Sequence, residues 1–261
     1  MSDAVPSSVP AVVTGASSGI GEEFCHQLAG RGHDLLIVAR RVTRLRSLAR
    51  ELQREHGVAV EALAADLETA AGRRLVAVRL RGGGPRLLVN NAGFGSSGSF
   101  AELDQERELA EVMVNVVAVE ELTGAVIPEC VAAGAGGVLN VASTAAFQPL
   151  PHMATYAATK AFVLHLSEAL AVELSGTGVR CMALCPGPTR TEFGEVAGNA
   201  TELDNALPMS VAEVVTQALG DFDAGHAISI PGRRNALVAH SVRLLPRAAV
   251  RRVAGRIFAP R

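Results

Sequence analysis

The sequence predicts an α/β protein built on a doubly wound parallel sheet of about seven strands, with helices on both faces. Short β-rich runs alternate with longer stretches of helical periodicity along most of the 261 residues, and repeated units of this kind build parallel sheets. Several β-rich runs are continuously apolar, as in residues 35–38, which is typical of strands covered on both faces. No linker, repeat or low-complexity tract divides the chain, so we expect a single domain over residues 1–261.

Seven runs have the composition of strands. They are residues 11–14, 34–39, 58–64, 86–90, 137–142, 179–184 and 227–230. Six stretches between them have the apolar spacing of helices. They are residues 20–31, 41–56, 68–81, 103–132, 153–175 and 211–222. Because ligands of doubly wound sheets bind beyond the carboxyl ends of the strands, we expect the chemistry where these strands end.

The composition excludes several classes of protein. A formal net charge of −2 and 49% hydrophobic residues rule out a disordered or collagen-like chain and give no general footprint for nucleic acid. The four cysteines show no paired framework of the secreted kind, and no apolar run reaches the roughly 18 residues of a bilayer span. With no charged-then-apolar leader before the first strand, we expect a cytoplasmic protein.

A glycine-rich turn follows the first strand and opens a helical stretch. It has the sequence Thr14-Gly15-Ala16-Ser17-Ser18-Gly19-Ile20-Gly21. Glycines at such a turn let backbone amides approach a pyrophosphate, whose charge is favoured by the helix N-terminus. The turn therefore indicates a dinucleotide site, and a Walker phosphate loop is excluded because no lysine follows the glycines.

The same turn also fits G-x-S-x-G, the nucleophile elbow of α/β-hydrolases. That alternative would use Ser17 as the nucleophile, with an acid and then a histidine later in the chain. The candidates in that order are Asp221 or Asp223 and His226 or His240. The hydrolase elbow normally follows several strands, whereas this turn follows the first, so the dinucleotide interpretation is favoured.

The second strand ends in Arg40 and Arg41, and no acidic residue lies between Asp34 and Glu51. In dinucleotide folds an acid near this point binds the ribose 2′-hydroxyl, whereas arginine accommodates a 2′-phosphate. The sequence therefore predicts NADP(H) rather than NAD(H), with Arg40 or Arg41 at the adenine or the phosphate. We assign Arg44, further along the helix, to a solvated helix face.

The only tyrosine and the only lysine of the chain, Tyr156 and Lys160, lie four residues apart in a helical stretch and so share one face. An ammonium beside a phenol is expected to lower the pKa of the phenol from about 10 toward the working range. Ser143 closes the strand 13 residues earlier, where its hydroxyl could bond a substrate carbonyl. These three residues predict a proton-transfer site.

Taken together, the motifs resemble those of the short-chain dehydrogenase/reductase family, over roughly residues 10–231. The resemblance is carried, in the family's order and spacing, by T-G-x-x-x-G-I-G at 14–21, N-N-A-G at 90–93, Asn115, Ser143, Y-x-x-x-K at 156–160 and P-G at 186–187. It implies a Rossmann-type fold, a homodimer or homotetramer, and transfer of a hydride between NADP(H) and a carbonyl or alcohol. Residues 185–193 further resemble a bacterial branch near lipid-related ketoreductases.

The resemblance also implies roles for individual residues. Ser143, Tyr156, Lys160 and Asn115 would be catalytic, with Asn115 kinking the long fourth helix and holding a water that relays protons to Lys160. With the residues argued above, the expected cofactor-binding set is Gly15, Ser17, Ser18, Gly19, Ile20, Gly21, Arg40, Arg41, Asp66, Leu67, Asn91, Ala92, Gly93, Tyr156, Lys160, Pro186, Gly187 and Thr189. A regulator that senses NADP(H) without turnover remains an alternative, although it would not need the catalytic side chains.

Residues 190–208 depart from the αβ rhythm, and their glycines and weak helical period suit a mobile lid over the substrate. Phe94, Phe147, Met153 and Phe193 lie near the motifs and are candidates for an apolar pocket, although each could equally be a core residue. Such a pocket would suit a hydrophobic ketone, a 3-oxoacyl compound or a steroid-like substrate. The seven histidines form no H-E-x-x-H or equivalent motif, so no metal site is expected.

Residues 233–261 form a basic C-terminal extension, and residues 241–261 carry six arginines and no acidic residue. After Pro246, a helical face would carry Ala249, Val250, Val253 and Ile257, with arginines largely opposite. Such a helix docks on its own subunit or a neighbouring one, which we favour, or rests on an anionic membrane surface. The long helices 103–132 and 153–175 are the expected contacts between subunits.

Overall fold

Seven parallel strands form a sheet in the order β3-β2-β1-β4-β5-β6-β7 in a computed structural model that describes residues 5–198 and 208–257. The strands are β1 (Ala11–Thr14), β2 (Leu35–Ala39), β3 (Val60–Ala64), β4 (Leu87–Asn90), β5 (Gly137–Val141), β6 (Arg180–Leu184) and β7 (Ile228–Ser229). Each lies within its predicted run. The doubly wound α/β fold is therefore confirmed.

Helices cover both faces of the sheet. They are α1 (Gly19–Gly30), α2 (Val42–His56), α3 (Ala70–Leu80), α4 (Gln105–Val112), α5 (Ala118–Ala133), α6 (Ala154–Glu173), α7 (Phe193–Ala197), α8 (Val211–Asp223), α9 (Arg233–Ser241) and α10 (Arg247–Ile257). A π-helical segment, Met113–Val117, joins α4 to α5, and a short 3-10 helix, Thr144–Phe147, follows β5. The predicted fourth helix is thus one long element with a wide turn inside it.

The continuous apolar runs reflect two hydrophobic layers. Val13 and Ile37 belong to the layer that packs against α1, α2 and α8, while Val12 and Val38 belong to the layer against α3 and α5. Successive strand residues point to opposite faces, so a strand covered on both sides needs an apolar residue at every position. The order of connections reverses between β1 and β4, which opens a crevice at the carboxyl ends of these strands.

Buried polar side chains tie the centre of the sheet to α6. Asn90 Nδ2 donates to Asn140 Oδ1 at 2.8 Å and to Thr123 Oγ1 at 3.0 Å. Asn140 Nδ2 donates in turn to Ser167 Oγ at 3.0 Å. Because buried amides need partners, this chain of bonds fixes the ends of β4 and β5 relative to α6.

The two irregular segments differ from their predictions. The lid segment contains the short helix α7, where the sequence suggested none, and its residues 199–207 lie outside the described part. The C-terminal extension folds into α9 and α10. Among the described side chains of α10, Val250 and Ala254 are buried, whereas Val253 is 55% exposed. The prediction that Ala249 and Val253 belong to the apolar face was therefore wrong, because the buried face is displaced by about one residue. The side chain of Ile257 is not described.

Ala254 joins a hydrophobic cluster with Leu150, Met153 and Ala197. The helix therefore docks on its own subunit, which agrees with the favoured alternative. No helix in the described ranges is long and apolar enough to cross a bilayer.

Candidate active site

The glycine-rich turn connects β1 to α1 where the sheet order reverses. Gly15 and Gly19 have φ angles of +66° and +56°, a region that L side chains rarely adopt. A Cβ on Gly15 would also lie 2.8 Å from Ala92 Cα, and a Cβ on Gly21 would meet the carbonyl oxygen of Gly15. The glycines therefore let the turn pack tightly against the segment after β4. The turn leads into the N-terminus of α1 at the crevice, an arrangement that suits a pyrophosphate.

The segment after β4 braces this turn. Asn91 Nδ2 donates to the carbonyl oxygens of Thr14 at 2.9 Å and Gly15 at 3.3 Å. Thr14 Oγ1 accepts hydrogen bonds from the backbone amides of Asn91 and Ala92, both at 3.0 Å. The sequence predicts Asn91 here but no role for Thr14, whose buried hydroxyl joins the ends of β1 and β4.

Arg41 is tied to the glycine-rich turn. Its Nε donates to Ser17 Oγ at 3.0 Å and its Nη2 donates to Ser18 Oγ at 2.7 Å. Arg44 also reaches the turn, with Nη1 3.5 Å from the carbonyl oxygen of Ser17. Arg44 is 53% exposed, as expected for a solvated helix face, and its guanidinium also converges with that of Arg41 on the rim of the crevice.

The opposite side of this rim is formed by the residues after β3. Asp66 Oδ1 accepts a hydrogen bond from the amide of Glu68 at 3.0 Å, and Leu67 is buried beneath it. Glu68 pairs with Arg40 at 2.6 Å. The two predicted arginines thus have different partners, since Arg40 pairs with Glu68, whereas Arg41 contacts the turn and also pairs with Glu192.

Tyr156 and Lys160 lie one turn apart on α6 and face the crevice. Lys160 Nζ lies 5.7 Å from the centroid of the Tyr156 ring and donates to the carbonyl oxygen of Val141 at 2.8 Å. Ser143 follows β5, accepts a hydrogen bond from the amide of Ala145 at 3.1 Å, and lies near enough to the phenol to interact with it. The structure therefore brings the three predicted residues together.

Burial dominates the ionisation of this pair. It raises the pKa of Tyr156 to about 12, although the interaction with Ser143 acts in the opposite direction. It also lowers the pKa of Lys160 to about 8. The expectation that Lys160 lowers the phenol pKa was wrong for this structure, because burial favours the neutral form of both groups. A neutral phenol is the form that donates a proton.

Asn115 lies in the π-helical segment between α4 and α5 and is fully buried. Its Nδ2 donates to the carbonyl oxygen of Phe94 at 2.8 Å and to Thr159 Oγ1 at 3.1 Å. Its Oδ1 accepts a hydrogen bond from the amide of Phe94 at 3.2 Å. The predicted kink is therefore a π turn, and the side chain locks the loop after β4 to α6.

That loop runs close to Tyr156 and Lys160. A Cβ on Gly93 would lie 3.3 Å from Lys160 Nζ, and a Cβ on Gly95 would lie 2.9 Å from Tyr156 Cδ2. The absence of a side chain at both positions lets the loop pass directly against the ammonium and the phenol. Gly95 had no role in the sequence analysis.

The loop after β6 forms the remaining wall. The carbonyl oxygen of Pro186 accepts a hydrogen bond from the amide of Thr144 at 2.9 Å, and Thr189 Oγ1 donates to the carbonyl oxygen of Gly187 at 3.0 Å. A Cβ on Gly187 would lie 2.5 Å from the side chain of Asn235 on α9. The extension thus packs against this loop, a contact that no motif indicated.

A cavity of about 540 Å³ connects these parts. Its lining contains most of the predicted residues, namely Gly15, Ser17, Ser18, Gly19, Ile20, Arg40, Arg41, Asp66, Leu67, Asn91, Ala92, Gly93, Ser143, Tyr156, Lys160, Pro186, Gly187 and Thr189. Gly21 and Asn115 support this lining from behind. The cavity therefore runs from the arginine rim to the phenol.

The far end of the cavity is apolar. Phe94, Met153 and Phe193 line it as expected, and Leu150 and Val196 add to it. The ring of Phe193 lies 5.2 Å from that of Tyr156. Phe147 does not belong to this lining but packs against the cluster that contains Val163 and Leu164.

The hydrolase alternative does not fit this geometry. Ser17 follows β1 at the carboxyl edge of the sheet, whereas His226 precedes β7 and pairs with Asp221 at 3.4 Å. Because the strands are parallel, a residue that follows one strand and a residue that precedes another lie at opposite ends of the strands, so Ser17 and His226 are far apart. Asp223 pairs with Arg31 at 2.8 Å, and His240 is exposed on α9.

Within the described ranges, three side chains on α1 and α2 lie close enough to share a metal ion. They are His26, Glu55 and His56. They do not line the cavity, so they have no part in the site described above.

The residues of the cavity fit NADP(H). The turn leads into the N-terminus of α1 at the cavity, and the guanidinium groups of Arg41 and Arg44 converge with two serine hydroxyls at its rim. A doubly wound sheet with such a site, leading to a phenol and an ammonium, defines a nucleotide-dependent oxidoreductase. The family model described as short chain dehydrogenase matches residues 10–201, and the chain belongs to this family.

Similar proteins agree with this membership. A short chain dehydrogenase of Pseudocercospora fijiensis is 38% identical over 188 residues, which is 70% of this chain but only 60% of that relative. A short-chain dehydrogenase from Sphingobium yanoikuyae in complex with NADPH is 41% identical, with a TM-score of 0.82 over 90% of this chain and 95% of the other. A bulky-bulky ketone specific alcohol dehydrogenase from Comamonas testosteroni is 35% identical, with a TM-score of 0.77 over 90% and 92%. The chain is therefore an oxidoreductase of this family.

Proposed function

We propose that this protein reduces the carbonyl group of a hydrophobic substrate with NADPH, using Tyr156 as the proton donor. The observation that carries the proposal is the position of the phenol. Tyr156 lies between the apolar end of the cavity and the loop after β4, which contacts the glycine-rich turn. It is beside Ser143 and one helical turn from Lys160. A carbonyl held there would be within reach of a donor on one side and of the dinucleotide on the other.

Each catalytic side chain has a separate task in this proposal. The bound cofactor supplies the hydride. Ser143 and Tyr156 hydrogen-bond the carbonyl oxygen, and Tyr156 releases its proton to that oxygen. The phenol pKa of about 12 keeps Tyr156 protonated at neutral pH, which is the form that can donate a proton to the carbonyl oxygen.

Lys160 and Asn115 complete the proposed proton path. The ammonium of Lys160 is held by the Val141 carbonyl oxygen and would contact the ribose of the nicotinamide. Asn115 fixes the π turn behind it, and the relay water assigned to this residue remains part of the proposal. Because the pKa of Lys160 is lowered to about 8, the ammonium would be lost above that pH and activity should fall there.

The apolar end of the cavity supports a large hydrophobic substrate, such as a bulky ketone, a 3-oxoacyl compound or a steroid-like ketone. Leu150, Met153 and Phe193 form a continuous apolar wall there. The structurally similar alcohol dehydrogenase from Comamonas testosteroni is specific for bulky-bulky ketones. A wall of this kind stabilises apolar substituents on both sides of a carbonyl by removing them from water.

Tyr156→Phe is the central test of the proposal. We expect the variant to lose NADPH oxidation with bulky ketones by about 100-fold or more, while the Kd for NADPH, measured by its fluorescence, stays near the wild-type value. Small polar ketones should be poor substrates of the wild type. Full turnover by the variant would contradict the mechanism, and NADPH binding without turnover of any carbonyl by the wild type would favour the non-catalytic regulator.

We further propose that the protein works in the cytoplasm as a homo-oligomer, most simply a dimer or tetramer. The four cysteines are free and buried, which suits a reducing compartment. An exposed stripe along α6 contains Ala158, Phe162, His165, Ala169 and Val172, a spacing typical of helices that pack on a partner. The docking of Ala254 on its own subunit supports that alternative for the basic extension rather than contact with a membrane.

A further inference from the structure

The segment between Thr189 and Phe193 crosses the glycine-rich turn. A Cβ on Gly19 would lie 3.0 Å from Thr191 Cγ2, so the side chain of Thr191 packs closely against the backbone of the turn. The next residue, Glu192, directly precedes α7. We call residues 189–193 the strap, because they lie over the mouth of the crevice.

The carboxylate of Glu192 binds both arginines of the rim, Arg41 and Arg44. Its Oε2 accepts a hydrogen bond from Arg41 Nη1 at 2.9 Å, and its Oε1 accepts one from Arg44 Nη1 at 2.7 Å. Hydrogen bonds from Arg44 and then Arg41 hold the pKa of Glu192 below its usual range. The group is therefore an anion at neutral pH, with each oxygen on a different guanidinium.

The same rim has the donor set that recognises a phosphate. Arg41 also donates to the hydroxyls of Ser17 and Ser18, so two guanidinium groups and two hydroxyls surround one anion position. Arginine binds carboxylates and phosphates with the same fork of N–H groups. The carboxylate of Glu192 thus occupies a place that a phosphate would also favour.

The other end of the strap touches the catalytic phenol. Phe193 follows Glu192 directly, and its ring lies 5.2 Å from the Tyr156 ring at an interplanar angle of 49°. A displacement of Glu192 therefore moves the adjacent Phe193, whose ring contacts Tyr156. Glu192 at the arginine rim and Phe193 at the apolar end are therefore consecutive residues that connect the two ends of the cavity.

We propose that Glu192 competes with the 2′-phosphate of NADP(H) for Arg41 and Arg44, and that binding of the phosphate releases the strap. The inference rests on the proposed assignment of Arg41 to that phosphate. A phosphate monoester carries more negative charge than a carboxylate, so it displaces Glu192 when it binds. Glu192 therefore affects how much more tightly the protein binds NADP(H) than NAD(H). When the phosphate displaces Glu192, the adjacent Phe193 also moves.

Binding of two adenosine fragments tests the competition without any turnover. Adenosine 2′,5′-bisphosphate carries the second phosphate and adenosine 5′-monophosphate lacks it. In Glu192→Gln we expect the bisphosphate Kd, measured by calorimetry, to fall by about 3- to 10-fold, with the monophosphate Kd unchanged. Glu195→Gln, which removes the same charge from an exposed position on α7, should change neither. An unchanged or weaker bisphosphate affinity in Glu192→Gln would overturn the proposal.

The release of the strap has a spectroscopic test. The chain has one tyrosine and no tryptophan, so its intrinsic fluorescence reports Tyr156 alone. Saturating bisphosphate should change this emission in the wild type, whereas monophosphate at equal absorbance should not. In Glu192→Gln the emission should already be near its bound value, and no response of the wild type to the bisphosphate would refute the coupling.

A third variant separates this inference from the assignment on which it rests. Arg41→Gln combined with Arg44→Gln should abolish the preference for the bisphosphate while monophosphate binding reports an intact fold. If the wild type itself shows no preference, the assignment of the rim to the 2′-phosphate fails. If the preference exists and depends on the arginines but Glu192→Gln leaves it unchanged, only the competition fails.

Discussion

Glu111 is the residue whose environment fits its chemistry least well. It lies on α4, one turn before Asn115, and is fully buried. Neither carboxylate oxygen has a hydrogen-bond partner of good geometry among the described residues. Burial raises its pKa to about 7, the charge of Glu108 adds to this effect, and Ser96 and Lys160 oppose it. A carboxyl group in such a place is stable only when it carries a proton.

Glu111→Gln should therefore stabilise the protein at high pH and not at low pH. The pKa is about 7 in the folded protein and near 4.5 when exposed, so the native form holds an extra proton between these values. The stability that this carboxyl group contributes is fully present below pH 4.5 and is lost as the pH rises through 7. Because glutamine does not ionise, the free energy of unfolding of Glu111→Gln should exceed that of the wild type by on the order of 1–3 kcal/mol at pH 8. At pH 4.5 the two values should be almost equal.

Thermal unfolding of both proteins across this pH range measures the difference. Glu106→Gln is the matched control, because Glu106 lies exposed on the same helix and should show no such pH dependence. The negative charge of Glu111 also raises the pKa values of Tyr156 and Lys160, so its removal should move the alkaline limb of the activity profile to lower pH. A pH-independent difference in Tm would argue against a buried ionisable carboxyl group.

At the scale of elements, the apolar end of the cavity is assembled from pieces that are far apart in the chain. Leu150 and Met153 precede α6, Ala197 ends α7, and Ala254 lies on α10. Gly255 packs nearby, since a Cβ there would lie 3.6 Å from Pro151 Cγ. The C-terminal helix therefore supports the pocket wall, although the match to the family model ends at residue 201.

Ala254→Asp should detach α10 from this wall. A carboxylate placed against Leu150 and Met153 costs several kcal/mol unless the helix moves away, and a short helix held by few buried side chains gives way first. We expect rapid tryptic cleavage after Arg251 and Arg252, and a several-fold higher KM for bulky ketones with an unchanged Kd for NADPH. Val253→Asp is the control, since that side chain is 55% exposed. Equal resistance of both variants to trypsin would show that α10 is not held by this contact.

The strands and the motif residues were predictable because each leaves a local pattern. A strand buried on both faces needs continuous apolar residues, as in β2, and bare backbone at a turn needs glycine, as at Gly15. The contact of Asn235 with Gly187 and the docking of Ala254 join segments whose own sequence shows only a polar or amphipathic helix. The raised pKa of Tyr156 was missed for a similar reason, since burial depends on the whole fold whereas the spacing to Lys160 is local.

At the scale of the whole molecule, α6 has two faces of different character. One face carries Tyr156 and Lys160 into the cavity, and the other is the exposed stripe from Ala158 to Val172. Phe162 and Val172 in this stripe are 37% and 77% exposed. An apolar stripe on a helix that is already packed on one side is typical of a subunit interface.

The double variant Phe162→Glu and Val172→Glu should therefore be a monomer. Two carboxylates would be buried against their symmetry-related copies in a two-fold interface, where like charges repel and lose their hydration. Light scattering should give the 27.0 kDa mass of one chain for this variant and a multiple of that mass for the wild type. Leu237→Glu changes a side chain on α9 that is 71% exposed and should leave the wild-type mass unaltered. A monomeric wild type, or an oligomeric double variant, would place the subunit contact elsewhere. Because Tyr156 and Lys160 face away from the stripe, the monomer should still bind NADPH, which separates loss of assembly from loss of fold.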